Sequence, residues 1–294
     1  MSPDDVMIVV ISGLLATSCA LLGSFLVLRR QALLPDAVSH AVLPGIVLIF
    51  LLTGERASLA TVLGATAFGV ACVAGFDWLR RTGVVASDAA LALVFPALFS
   101  LGILLISRFA SGAHIDLDSA IFGDVTFAPL RTIELAGLDV PRSLVITGAA
   151  TLGTVLLVVL LWRPLKASTF DPDFAELGGL RGKLVSQVLL VAVAGLAVVA
   201  FDSVGAILVI TFFVVPAATA RLLVRRVGTM LVAAVAVGWV SAFGGQRAAV
   251  TFDTSIPGTI GLTAGALFLL ALLFAPRKGL LTKRLAARPQ PRPR

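Results

Sequence analysis

The sequence predicts an all-α fold, a polytopic membrane bundle of about nine crossing helices, eight to ten at the limits. Three observations carry that prediction. The chain of 294 residues is 59% hydrophobic and only 13% charged, with a mean hydropathy of +1.05, more apolar than a soluble domain sustains. Apolar runs of spanning length follow one another from end to end. Basic residues fall at alternate ends of those runs: Arg29-Arg30, Arg80-Arg81, the 163–183 connection, Arg225-Arg226 and the tail from Arg277 share one side, opposite Glu55, the acids of 116–134 and Asp253. Lys and Arg favour the cytoplasmic face, which puts the N-terminus outside and the C-terminus in the cytoplasm.

The runs lie at residues 6–28, 32–53, 57–79, 87–107, 143–162, 184–201, 204–223, 229–243 and 257–275. The first lacks a basic n-region and ends at Arg29-Arg30 without a small-residue cleavage site, so it reads as a retained span. Cys19 and Cys72 lie inside apolar runs, as small core residues rather than a disulfide or half of a zinc cluster. Trp78 and Trp162 stand beside the inner arginines as interfacial anchors do. Pro216 removes a helical hydrogen bond in the seventh run, where Ala217, Ala218 and Ala220 permit close approach of a neighbour, and Pro96 acts likewise in the fourth. Gly261 and Gly265 form a GxxxG pair in the last run, which predicts helix packing.

Two connections are too long to be turns. The outer one, 108–142, carries Asp116, Asp118 and Asp124 alternating with apolar residues, a pattern for a short interfacial helix. In the inner one, 164–183, Asp171-Pro172 is a helix start and Gly178-Gly179 a stop, which predicts a short amphipathic helix on the cytoplasmic face. Such a helix either docks into a partner's groove or is a passive connector. No repeat or second folded domain is visible: residues 1–276 form the membrane domain, and 277–294 a basic, Pro/Arg-rich tail expected to be disordered. No acid follows Asp253, and the seven tail cations equal the net charge of +7, which suits an anchor on an anionic leaflet of the lipid bilayer better than nucleic-acid binding.

The second run holds the chemistry. In Leu33-Leu34-Pro35-Asp36-Ala37-Val38-Ser39-His40-Ala41-Val42-Leu43-Pro44-Gly45, Asp36 and His40 are four apart and share a helix face, separated by about 6 Å along the axis. An ionised Asp inside a span costs roughly 2.5–3.5 kcal/mol, so something must offset it. One carboxylate and one imidazole can hold the same cation; the alternative is that Asp36 caps the helix after Pro35 while His40 satisfies a backbone group. Pro44, Gly45 and Pro216 are the places where a span can bend or gate. Phosphate-loop, His-Glu-x-x-His and Gly-x-Ser-x-Gly motifs are all absent, and two histidines offer little to a hydrolytic site. The chain therefore reads as a transporter rather than an enzyme.

The Asp36-Ala-Val-Ser-His40-Ala-Val-Leu-Pro-Gly45 block closely resembles the permeases of the manganese, zinc and iron-chelate class of ATP-binding-cassette importers (the ABC-3 family). Gly23-Ser-Phe-Leu-Val-Leu-Arg-Arg30, Phe170-Asp-Pro-Asp-Phe-Ala175, Val204-Gly-Ala-Ile-Leu-Val-Ile and Pro216-Ala-Ala-Thr-Ala-Arg221 are similar to that family too, in order, so the likeness covers roughly residues 6–275. It implies a homodimer in a bacterial cell membrane, two cytoplasmic ATPase subunits that hydrolyse the ATP, and an extracytoplasmic metal-binding protein. It implies metal contacts at Asp36 and His40, ATPase coupling through Asp171, Asp173, Phe174, Ala175, Glu176 and Gly178, and receipt of metal at His114, Asp116 and Asp118. No cofactor is expected to be permanently bound; the ion is cargo. An imidazole, a carboxylate and oxygen donors tilt the choice toward Mn²⁺ ahead of Zn²⁺ and Fe²⁺, although two copies of the pair would also suit zinc. The rivals are an ion-coupled secondary cation transporter, a non-transporting scaffold, and an importer of a metal chelate or vitamin.

Overall fold

The computed structural model describes residues 3–53, 59–109, 125–130, 132–135, 138–179, 181–275 and 279. Helices α1 (Pro3–Leu28), α2 (Leu34–Ala41), α3 (Leu43–Thr53), α4 (Leu59–Arg81) and α5 (Ser87–Phe109) form the first half. A short 3₁₀ helix (Val125–Leu130) and a hairpin of β1 (Thr132–Leu135) and β2 (Leu138–Pro141) lead into α6 (Arg142–Leu160), α7 (Trp162–Phe170) and α8 (Pro172–Leu177). Then follow α9 (Gly182–Val204), α10 (Ala206–Leu223), α11 (Val227–Phe252) and α12 (Ile256–Phe274). Among the described residues eight spans are long and apolar enough to cross a membrane, α2 and α3 together making one; the ninth apolar helix, Ile207–Leu223, is shorter. Gly205, at φ 83°, lets the chain reverse between α9 and α10 with no residue to spare.

Among the described residues each of the nine anticipated runs is helical over most of its length, with breaks at Val42, Leu161 and Gly205. The antiparallel hairpin, with Ile133 opposite Val140 and Glu134 opposite Asp139, was not anticipated; its alternating apolar and polar residues suit a strand with one face covered. The eighth run, read as 229–243, continues to Phe252. Gly244-Gly245-Gln246-Arg247 ended the apolar pattern, but the helix persists because Gly245 packs on Ile260 and Gln246 Nε2 donates to Asp5 Oδ1 at 3.0 Å. Of the GxxxG pair, Gly261 packs on α10, where a Cβ would stand 3.6 Å from Thr211 Oγ1, while a Cβ at Gly265 would meet nothing within 4 Å among the described residues.

Helix α1 is the hub. It packs against α6, α10 and α11, and 67% of its most apolar stretch is buried, against 17% for α5 and for α12. A second group, α2 to α5, is joined to the first through α9 and α10. Cys19 and Cys72 are free and buried, as anticipated. The basic residues do gather: Arg29, Arg80, Arg81 and Lys183 line one cleft with α7 and α8, so these basic runs share one end of the bundle. Trp78 is well exposed beside them.

Candidate functional site

Helix α2 is eight residues long because prolines bound it. Pro35 sits in its first turn, where the missing N–H is harmless, and Pro44 offers no N–H to the His40 carbonyl four residues back. The helix therefore stops at Ala41, turns at Val42 and restarts at Leu43 as α3. Leu34, Pro35, Ala37, Val38, Ser39 and Ala41 are buried. That leaves Asp36 and His40 on the outward face.

There His40 Nε2 lies 3.5 Å from Asp36 Oδ1, and their side chains are 40% and 35% exposed. The pair faces away from the subunit's own core. Ser39 is not a candidate ligand, because its hydroxyl donates to the Pro35 carbonyl at 2.8 Å. The imidazole is held from the side by two rings of α5: Phe99 edge-on at 5.7 Å between centroids and Phe95 at 6.1 Å. Sequence reading missed both phenylalanines, although they too are four apart and bracket Pro96. Among the described residues no group of three or more His, Cys, Asp or Glu side chains comes together, so the Asp36/His40 pair has no third side chain of that kind beside it there. A divalent transition ion takes four to about six donors. Asp36 and His40 alone fall short of that number.

Gly45 packs rather than bends: a Cβ there would overlap the Gly64 carbonyl of α4, so it lets α3 and α4 touch beside the site. Pro216 lies within α10, which runs on to Leu223. Asp171 and Pro172 do open a helix, α8, and Gly178-Gly179 do end it, with Gly179 at φ 73°. Ala175 is buried, Glu176 pairs with Lys183 Nζ at 3.1 Å, and Asp171 and Gly178 are exposed. Asp173 and Phe174 lie in α8, with side chains outside the described set; His114, Asp116, Asp118 and Asp124 lie outside the described residues altogether, as does the tail but for Gly279.

Two further polar clusters escaped the sequence reading. Asp77, near the end of α4, binds Arg80 Nη2 at 3.0 Å and Arg81 Nη2 at 2.6 Å. Arg29 donates to Thr169 Oγ1, Ser186 Oγ and Ser168 Oγ at 3.0, 2.8 and 2.9 Å.

Against known proteins, residues 5–275 match the model of the ABC 3 transport family. The chain is 41% identical over 281 residues to the zinc transport system membrane protein TroD of Treponema pallidum, covering 96% of this chain and 77% of that one. It is 36% identical to the manganese transport system membrane protein MntD of Bacillus subtilis, covering 92% of each. In structure it is similar to PsaBC from Streptococcus pneumoniae, solved in complex with Fab, with a TM-score of 0.76 and 26% identity over 94% of each chain. An importer permease of this kind works with ATPase and binding-protein partners and does not itself hydrolyse ATP. The chain belongs to the ABC 3 transport family, as the bacterial multi-pass permease subunit of an ATP-binding-cassette importer of manganese, zinc or iron.

Proposed function

We propose that two copies of this chain form the pathway of the importer, and that Asp36 and His40 of each copy face one another across it as a weak, transient site for the passing ion. The observation that carries this reading is the half-exposed Asp36/His40 pair on a spanning segment. Lipid does not accept an ionised carboxylate, so the exposed face belongs against protein and water. A second copy doubles the donors to two imidazoles and two carboxylates, with water to complete the set. Loose coordination suits transit, because an ion held too tightly does not leave.

The oxygen-rich donor set places Mn²⁺ first, ahead of Zn²⁺ and Fe²⁺. Zinc is the second reading, favoured by the paired imidazoles and by the likeness to TroD. The amphipathic segment at Asp171 to Gly178 serves as the coupling surface for a cytoplasmic ATPase, with the N-terminus of the chain outside. Its short helix, exposed Glu176 and place beside the arginines of the inner end support that assignment. The basic tail anchors to anionic lipid, and the outer His114, Asp116 and Asp118 receive the ion from the binding protein. Uptake of Mn²⁺ and Zn²⁺ by cells carrying Asp36→Ala or His40→Ala tests the site. Accumulation is expected to fall to the level of cells without the permease; wild-type accumulation in both variants overturns the reading.

A further inference from the structure

The inner segment α7–α8 and the α2 site belong to different parts of the chain, and one side chain ties them together. Arg29 follows the last residue of α1, and its guanidinium donates through all three nitrogens: Nε to Thr169 and Nη2 to Ser168, both in the last turn of α7, and Nη1 to Ser186 in the first turns of α9. The α7 hydroxyls are free to accept, since each spends its own proton on the Leu165 carbonyl. No carboxylate partner is found for Arg29 among the described residues. The nearby acid Asp77 is taken by Arg80 and Arg81.

On the other side of Arg29 the chain turns a stiff corner into α2. Gln31 N–H donates to the Leu26 carbonyl at 2.9 Å and Arg30 N–H to the Val27 carbonyl at 3.3 Å, closing α1 with the paired bonds that usually require glycine. Arg30 takes the left-handed position instead, at φ 59°, a strained conformation for a residue with a side chain. Gln31 is buried with its Oε1 meeting no donor among the described residues. Leu34 N–H then donates to the Gln31 carbonyl at 3.2 Å, so α2 begins on the corner itself. These bonds tie the end of α1 to the start of α2, in a backbone conformation that a residue with a side chain does not favour.

We propose that Arg29 is a positioning residue that transmits movement of the α7–α8 segment to Asp36 and His40, by latching the α1–α2 corner to the hydroxyls of Ser168 and Thr169. The proposal rests on the reading of α8 as the ATPase-facing surface. Hydroxyl partners fit a latch that is remade in each cycle, because neutral acceptors hold a guanidinium less firmly than a carboxylate does. Burial, and then the charge of Arg80, lower the Arg29 pKa to about 10, so it remains a cation in the cell.

The experiment uses the whole complex, permease with its ATPase and binding protein, in liposomes, and measures Mn²⁺ and Zn²⁺ carried per ATP hydrolysed. For Arg29→Gln, and for Thr169→Val combined with Ser168→Ala, hydrolysis is expected to continue while ions carried per ATP fall roughly tenfold, within the usual range of a coupling change. Thr169→Ser, which keeps the hydroxyl, is expected to retain the wild-type ratio. If Arg29 only braces the fold, transport and hydrolysis fall together and the ratio stays at the wild-type value, which overturns the proposal. Should Arg29→Gln fail to assemble, the hydroxyl variants decide alone: an unchanged ratio in them overturns it as well. A wild-type complex that hydrolyses ATP but carries neither of these ions, nor Fe²⁺ in the same assay, overturns the metal reading and this inference with it; carriage with unchanged ratios in the variants overturns this inference only.

Discussion

Asp36 and Asp77 are both carboxylates on spanning segments, each with a basic side chain one turn further along, and the structure treats them in opposite ways. Asp77 is 10% exposed and meets two guanidiniums at 3.0 and 2.6 Å, which occupy both its oxygens. Asp36 is 35% exposed and has one imidazole at 3.5 Å, beyond the length of a strong charge-assisted bond. The first acid is committed to permanent partners. The second has one partner at a looser distance, the feature on which its proposed role as a cation contact rests. Asp36–His40 and Asp77–Arg81 share the four-residue spacing; what separates the proposed transporting acid from the structural one is how fully its oxygens are used.

The reciprocal pair Asp36→Ala and Asp77→Ala tests that distinction most severely. Asp36→Ala is expected to abolish metal uptake while leaving the amount and melting temperature of the folded protein in detergent unchanged. Asp77→Ala leaves two half-exposed guanidiniums without their acid and is expected to destabilise the fold by about 1–3 kcal/mol, below the range for a wholly buried pair because water still reaches Arg80 and Arg81. Uptake per folded molecule should survive in Asp77→Ala. The reverse pattern, with Asp36 needed for folding and Asp77 for uptake, breaks the comparison.

A subtler change alters the donor set without emptying it. His40→Asp replaces a nitrogen donor with oxygen and makes the paired site harder, so the ratio of Zn²⁺ to Mn²⁺ carried by the complex in liposomes is expected to fall by about tenfold. Competition between the two ions in one assay reads that ratio directly. No change in ratio means that the imbalance between the two acids is real but that selectivity is set elsewhere, at the outer surface or on the binding protein.

How much of this was legible in the sequence follows from how far apart the interacting residues lie. The spans were legible because a bilayer demands about 20 apolar residues at a stretch, whatever they pack against. The Asp36/His40 face was legible because four-residue spacing on a helix is local geometry. Asp77 with Arg80 and Arg81 had the same spacing, yet the arginines were read only as topology markers, since their charge alone accounted for their position. The Phe95 and Phe99 walls and the Arg29 hydroxyls are tertiary, the latter separated by 139 to 157 positions, and no periodicity announces them. The GxxxG pair shows the same limit: small residues permit close packing but do not say which helix arrives, and while Gly261 meets α10 at ordinary contact distance, tighter approaches fall at glycines such as Gly45 and Gly245.

Neutral polar groups in the core sharpen the same contrast at its weak end. The hydroxyls of Ser18 on α1 and Thr151 on α6 lie 2.9 Å apart in the buried seam between the two helices, but each also reaches a carbonyl of its own helix, Leu14 at 3.2 Å for Ser18 and Thr147 at 2.7 Å for Thr151. Either hydroxyl, left alone, still has somewhere to place its proton. Ser18→Ala is therefore expected to cost about 0.6 kcal/mol, the usual worth of a polar contact between membrane helices and well below the effect of Asp77→Ala. The melting temperature of the purified protein in detergent measures both. A loss from Ser18→Ala as large as that from Asp77→Ala means that the interhelical bond itself, rather than the absence of a fallback partner, sets the cost of a polar group in this bundle; the reading of Asp36 as available for an ion would then lose its main physical support.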